Sequence, residues 1–264
     1  MKIWTVDAFT DKPFAGNPAV VALVEKFPSD DLCQKIAAEM NLPESGFVKP
    51  VGPDHYHIRW FTPLVEVELC GHGTLAAAHI LFQENYIKGD TITFDSLYGP
   101  LFVRRQESYI ILDFPLLKVE NKLYPLKDLQ GLLDFKTLTG CLLSHEAVVA
   151  ELSDENELRN LVLDPEKVKQ IEHNGLIVTA KGKPPYDFVS RVFGPRKGIN
   201  EDPVTGSAHC LLADYWREKL KKDEFMAYQA SPRGGSLGIK IVGDRVHLKG
   251  QAVTLLEGTW KAKI

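Results

Sequence analysis

The sequence predicts an α+β fold built twice over, each half a set of strands wrapped around a central helix. Three observations carry that expectation. Strand-like runs outnumber helical ones from the first residues onward. One helical run, "TLAAAHILF" (74–82), is apolar on nearly every side and must therefore be surrounded by protein. The order of elements around that run recurs in the second half of the chain.

Each element has its local reason. "KIWTVDAF" (2–9) and "NPAVVALV" (17–24) read as strands on either side of a Gly16-Asn17-Pro18 turn. Ser29, followed by Asp30 and Asp31, suits the cap of a helix that carries Leu32, Ile36 and Met40 at every fourth position. That helix should end near Asn41, because Pro43 cannot continue it. Strands "ESGFVKP" (44–50) and "HYHIRWFTP" (55–63) follow, then the apolar helix, beginning around Gly73. "TITFDS" (91–96) and the hairpin "GPLFVRR" (99–105) with "YIILDFP" (109–115) complete the first half.

When the halves are laid over each other, Phe61 falls on Phe193 and Pro63 on Pro195. With one insertion, Gly71 falls on Gly206, His72 on Ser207 and Ala78 on Ala213, and Cys70 stands opposite Thr205. Residues 94–114 lie over 228–250, each a glycine-containing turn and a two-strand hairpin. The expected domains are therefore 1–116 and 117–264, with the charged, proline-containing stretch 116–128 as the crossover. An additional helix pair is expected in the second half, starting at Ser153 and at Asp164-Pro165, where Asp caps and Pro takes the first helical position.

Composition limits the function. The chain has 264 residues, 44% hydrophobic, and a formal charge of -4, enough to build a core and too acidic for a nucleic-acid footprint. "MKIWTVDAFTDK" brings in Asp7 and Asp11 before a signal-peptide core could form, and no later run offers about 18 uninterrupted apolar residues. A cytoplasmic protein without membrane or nucleic-acid partners is expected. Cys33, Cys70, Cys141 and Cys210 are widely spaced and read as reduced thiols. Neither GxGxxG nor GxxxxGK[ST] is present to hold a nucleotide. His55 and His57 share a strand face but lack third and fourth ligands, so no metal is expected there.

Two helix starts carry the functional signal: "LCGHGTLAAAH" (69–79) and "EDPVTGSAHC" (201–210). Small residues at a helix start let a ligand approach the free N–H groups, which favour anions. Taken singly, Gly71, Gly73 and Gly206 serve tight strand-to-helix turns. As a matched pair, they read as an anion clamp shared by the two halves.

The candidates for chemistry are Glu44, His72, Asp202 and Ser207. Glu44, between a helix end and an apolar strand, can enter a partly desolvated cleft, where burial penalises the charged form and suits a group that takes and returns a proton. A surface loop position is the alternative. His72, at a positive helix end, is expected to be a neutral hydrogen-bonding ring, or a satisfied structural histidine. Asp202, before Pro203, is biased to extended geometry and could hold His72 or a substrate group, or simply shape a turn. Ser207 can donate from the helix start, but no GxSxG elbow surrounds it to make a nucleophile.

These residues lie in stretches that resemble the PhzF family of phenazine-biosynthesis-like isomerases: "VDAFTDKPFAGNPAVV" (6–21), "NLPESGFV" (41–48), "RWFTP" with "EVELCGHGTLAAA" (59–78) and "RVFGPRKGINEDPVTGSAHC" (191–210). The resemblance implies two similar domains, each a β-barrel-like roll around a central helix as in diaminopimelate epimerase, a cleft between them, and a homodimer. It implies Glu44 as the acid/base carboxylate, with His72, Asp202 and Ser207, and the adjoining Gly71, Gly73, Thr205 and Gly206, binding and polarising a small anionic carboxylate. It also implies no metal or organic cofactor.

The family motif often has a residue other than Gly after the CGH histidine, and Gly73 is expected to widen that helix start slightly. The related epimerase uses opposed cysteines, whereas here Thr205 stands opposite Cys70 and Cys210 lies five residues beyond it. The expected reaction is thus an allylic proton shift by one carboxylate. A non-catalytic binding or adaptor protein and an amino-acid racemase or epimerase are the alternatives.

Overall fold

A computed structural model describes residues 1–120, 122–144 and 147–262 and divides the chain into two compact units. In the first unit, β1 (Lys2–Ala8) pairs antiparallel with β2 (Asn17–Leu23). After helix α1 (Asp30–Met40), β3 (Glu44–Gly52) runs parallel to β2 and antiparallel to β4 (His55–Phe61). β4 takes the short antiparallel β5 (Glu66–Val67) and, after helix α2 (Gly71–Gln83), the parallel β6 (Thr91–Ser96). β7 (Gly99–Gln106) and β8 (Tyr109–Pro115) extend the sheet as antiparallel neighbours.

The connection between β1 and β2 is longer than the expected turn. Asn17 and Pro18 already lie in β2, opposite Ala8 and Asp7, and the chain reverses over residues 9–16 with Phe9, Phe14 and Gly16 at positive φ. At Gly16 a Cβ would stand 2.2 Å from the Ala8 carbonyl oxygen, so only glycine fits. For α1, Ser29 caps as expected, its hydroxyl accepting from the Leu32 N–H, and Asn41 ends the helix in the left-handed region. The helix lays Cys33, Ile36 and Ala37 on Phe47 and Phe61.

α2 begins two residues before the expected Gly73, with Cys70 as its N-cap. It lies against β1, β2 and β3. Leu75, Ile80, Leu81 and Phe82 are all buried, and each contributes roughly 1.5–3 kcal/mol by leaving water.

The second unit repeats the pairing pattern. Helix α3 (Leu126–Leu133), not expected from the sequence, begins within the 116–128 crossover and runs beyond it, with Pro125 at its N-cap and no side-chain cap. Before it the chain bonds to strand β9 (Leu138–Leu143), Tyr124 N–H donating to the Cys141 carbonyl and Leu143 N–H to that of Lys122. β9 is antiparallel to β10 (Ala147–Leu152). The helix pair follows: α4 (Glu155–Arg159), capped by Asp154 rather than the expected Ser153, and α5 (Pro165–Val168), capped by Asp164 with Pro165 at its first position. The Asp154 carboxylate reaches the Asn156 N–H, which takes the capping position one residue later.

β11 (Gly175–Lys181) runs parallel to β10 and antiparallel to β12 (Phe188–Gly194). β12 takes the short antiparallel β13 (Ile199–Asp202) and, after helix α6 (Gly206–Leu220), the parallel β14 (Glu224–Gln229). β15 (Gly235–Val242) is antiparallel to β14, and β16 (Arg245–Gly250) follows. Trp216 ties α6 to this sheet, stacking on Phe188 at 5.6 Å between ring centres and donating from Nε1 to the Thr179 hydroxyl at 2.9 Å.

The expected domain 117–264 does not hold to its end. The last strand, β17 (Ala252–Thr259), pairs antiparallel with β1, so residues 247–264 belong to the first unit and the second spans 115–246. The unpaired edge of β1 is what draws it back, since an open strand edge leaves N–H and C=O groups without partners.

Candidate functional site

Within the first unit, three local geometries converge. Asn41, in the left-handed region, turns the chain out of α1, and Leu42 and Pro43 deliver Glu44 as the first residue of β3, opposite Ala19 of β2. Asn17 stands at the start of β2, placed by the Gly16 turn. Cys70, extended at φ -140°, begins α2 and accepts the Gly73 N–H on its sulfur at 3.2 Å. His72 occupies the first turn of that helix.

The four side chains meet. His72 Nε2 stands 3.1 Å from Glu44 Oε2. Its Nδ1 stands 3.2 Å from Asn17 Nδ2 and 3.6 Å from Cys70 Sγ. All four residues are buried; Glu44 is the most open, at 8%. Glu44 is thus not a surface loop residue, and His72 has neighbours at both ring nitrogens.

Electrostatics at His72 differs from expectation. Burial alone lowers the imidazolium pKa, but the Glu44 carboxylate in contact with the ring outweighs it and holds the His72 pKa well above the ordinary histidine value. The helix start therefore does not set the ring's charge, because the carboxylate is in direct contact. Burial, with Glu44 nearby, raises the Cys70 thiol pKa, so the sulfur is protonated at neutral pH. Asn17 can serve either state of His72: its amide nitrogen donates to a neutral Nδ1, and its oxygen, after a half-turn, accepts from a protonated one.

Gly73 does not widen the helix start. A Cβ there would lie 2.9 Å from Trp60 Cδ1 and 3.0 Å from Cys70 Sγ. The indole fills the space that a side chain would take, and Trp60 itself is fully buried. Gly71 is half-buried at the first position of the helix.

The second unit has its own cluster, at the start of α6. Thr205, the N-cap, donates its hydroxyl to the Asp202 carboxylate and its N–H to Gln229 Oε1 at 2.8 Å. Gln229, fully buried, returns Nε2 to the Asp202 carbonyl at 2.6 Å. His209 sits one turn into α6, its Nδ1 2.8 Å from the Thr205 carbonyl and its Nε2 3.2 Å from the Ser190 hydroxyl. Gly206 is buried beneath this network, and Ser207 is exposed on the first turn. Asp202, Thr205, Gly206 and Ser207 are therefore neighbours at one helix start, and Glu44, His72, Gly71 and Gly73 at the other.

Sequence reasoning missed Asn17 and Gln229, which hold His72 and the 202–205 loop. It also missed a pair of forks. Arg59 Nε and Nη2 donate to the two Glu66 oxygens, each at 2.7 Å. Arg191 does the same to Glu201, again at 2.7 Å for both bonds. The signal was present: Arg59 falls on Arg191 in the overlay of the halves, and each glutamate lies four residues before its helix cap, Cys70 or Thr205. Each fork clamps a strand to the segment leading into a helix start, with the bidentate geometry that arginine favours.

His55 and His57 each have another neighbour. His55 Nε2 pairs with Asp95 at 2.9 Å, and His57 meets the edge of Phe27 at 5.0 Å between ring centres. The four cysteines are free and buried. Among the described residues no helix is long and apolar enough to cross a membrane.

The fold is a mixed α/β one, and a hydroxyproline epimerase from Agrobacterium vitis superposes on it with a TM-score of 0.63 over 98% of this chain and 91% of its own, at 10% identity, a likeness of fold alone. More narrowly, residues 6–258 match the family described as phenazine biosynthesis-like protein, and the chain belongs to this PhzC-PhzF family. An uncharacterized isomerase of Halalkalibacterium halodurans is 47% identical over 258 residues, 96% of each chain. A mouse phenazine biosynthesis-like domain-containing protein is 41% identical over 99% of each chain. The crystal structure of a PhzF-family protein from Enterococcus faecalis superposes with a TM-score of 0.92 at 39% identity, covering 97% of both chains.

Proposed function

We propose that the protein is a cofactor-independent isomerase that moves a proton on a small carboxylate, with Glu44 as its general acid/base. The buried contact of Glu44 with His72 at the start of α2 is the observation that carries this reading. His72 engages Oε2 and fixes the carboxylate, leaving Oε1 to take a proton from a substrate carbon. As the C–H bond breaks, its electron pair moves into the adjacent unsaturated system. Positive charge on His72 and the first-turn N–H groups of α2 stabilise the negative charge that builds up. A single base returns the proton on the face from which it came, which yields an allylic shift without inversion. Asp202, Thr205, Gly206 and Ser207 are assigned to binding an anionic group of the substrate, in keeping with their place at a helix start.

The test uses a panel of small cyclic carboxylates, hydroxylated or aminated, incubated in deuterated water. Wild-type protein should introduce deuterium at carbon into at least one of them, and Glu44→Gln should introduce none while still binding it. Binding without exchange by the wild type would instead identify a binding or adaptor protein. Exchange that survives Glu44→Gln would remove Glu44 from the role. Inversion at one carbon, with strong dependence on Cys70, would mark an epimerase.

A further inference from the structure

The Glu44 cluster contains a sulfur that proton transfer by a carboxylate does not use. Glu44, Cys70 and His72 each bring one ligand atom to within 4.8 Å of the others, and all three residues are buried. Among the described residues this is the one such group of histidine, cysteine and acidic side chains. A tetrahedral ion with bonds of about 2.0–2.3 Å separates its ligand atoms by about 3.3–3.8 Å. One edge of such a site is already of that order on either side of the ring, Glu44 Oε2 to His72 Nε2 at 3.1 Å or Cys70 Sγ to His72 Nδ1 at 3.6 Å, and since an ion takes only one ring nitrogen, only one of the two serves it. The third ligand atom lies within 4.8 Å of the other two, so a movement of about 1 Å brings it to the tetrahedral edge.

We infer that Glu44, Cys70 and His72 form a binding site for a thiophilic divalent cation, Zn2+ in the first instance, which silences the protein reversibly. The choice of ion follows from the donors: one thiolate, one imidazole and one carboxylate suit Zn2+, whereas Mg2+ and Ca2+ take oxygen-rich sets. Three protein ligands leave a fourth position for water. As the ion binds, the Cys70 thiol and the His72 imidazolium each give one proton to solvent, and the Gly73 N–H, already 3.2 Å from the sulfur, remains as a donor to the thiolate. The carboxylate that binds the ion can no longer accept a proton from carbon, so metal occupancy and the proposed turnover exclude each other. That last consequence rests on the proposed isomerase reading; the site itself does not.

The experiment titrates the reduced, metal-free full chain with Zn2+ alone against a chromogenic chelator, under anaerobic conditions. One ion per chain is expected at micromolar free Zn2+ or below, weakened at least tenfold in Cys70→Ser. Co2+ in the wild type should give intense tetrahedral d–d bands and a sulfur-to-cobalt charge-transfer band. If Cys70→Ser does not fold, the cobalt spectrum of the wild type decides. No stoichiometric uptake, or uptake indifferent to Cys70 and without the sulfur band, overturns the site. Deuterium exchange on any active carboxylate should stop with Zn2+ and return with a chelator. A protein that binds Zn2+ but exchanges nothing without metal keeps the site and loses the isomerase reading, whereas exchange without Zn2+ uptake does the reverse.

Discussion

His209 gives the second unit a measurable dependence on acid. The ring is fully buried, lies over Phe188 at 6.1 Å between ring centres, and holds the Thr205 carbonyl through Nδ1 and the Ser190 hydroxyl through Nε2. Burial pushes its pKa from 6.5 down to about 4, and the bond to Thr205 offsets only part of that. The neutral ring is therefore preferred in the fold, while the unfolded chain binds the extra proton below pH 6.5. Stability from this group is complete above pH 6.5 and is lost as the pH falls through the folded value near 4.

A shift of about 2.5 units at 1.36 kcal/mol each amounts to about 3 kcal/mol in total, of which roughly 1 kcal/mol is gone at pH 5.5. Urea unfolding at pH 7.5, 5.5 and 4.5 measures the slope, with His209→Gln as the reference because it cannot titrate. The variant is less stable throughout, but the gap between the two proteins should narrow by 2–3 kcal/mol on going from pH 7.5 towards 4. A constant gap across that range would show that His209 does not carry the buried-histidine penalty, and the argument from burial would fail.

Two further substitutions probe the helix starts. Gly73→Ala places a Cβ 2.9 Å from the buried Trp60 ring; overpacking of roughly 1–3 kcal/mol should outweigh the helix-propensity gain of about 1 kcal/mol, so calorimetry should show a lowered Tm, whereas a raised Tm would mean that the indole yields freely. Arg191→Lys breaks the fork to Glu201 and the bond from Nη1 to the Leu161 carbonyl at a site where the arginine side chain is only 7% exposed, and it should cost about 3 kcal/mol. The equivalent Arg59→Lys, at 16% exposure, should cost less in the same denaturant titration; equal losses would show that burial does not set the difference.

Much of this architecture is local enough to be legible in the chain. Ser29, Asn41 and Pro43 frame α1 because caps and breakers act within a few residues. The duplicated order of elements appears as matching glycines and prolines, and the pairing of strands in the second unit follows that of the first. Glu44 and His72 were legible through motifs, as was the helix start that carries Gly206 and Ser207. What the sequence could not determine depends on contacts between residues far apart along the chain. β17 returns to β1 because an open strand edge needs a partner, and that partner lies more than 240 residues away. Asn17 meets His72 only once β2 and α2 have packed, and the charge of that imidazole follows from a carboxylate 28 positions earlier rather than from its own helix. Gly73 shows the same division: the sequence presents a small residue at a helix start, and only the packing of Trp60 against it reveals that the space is already filled.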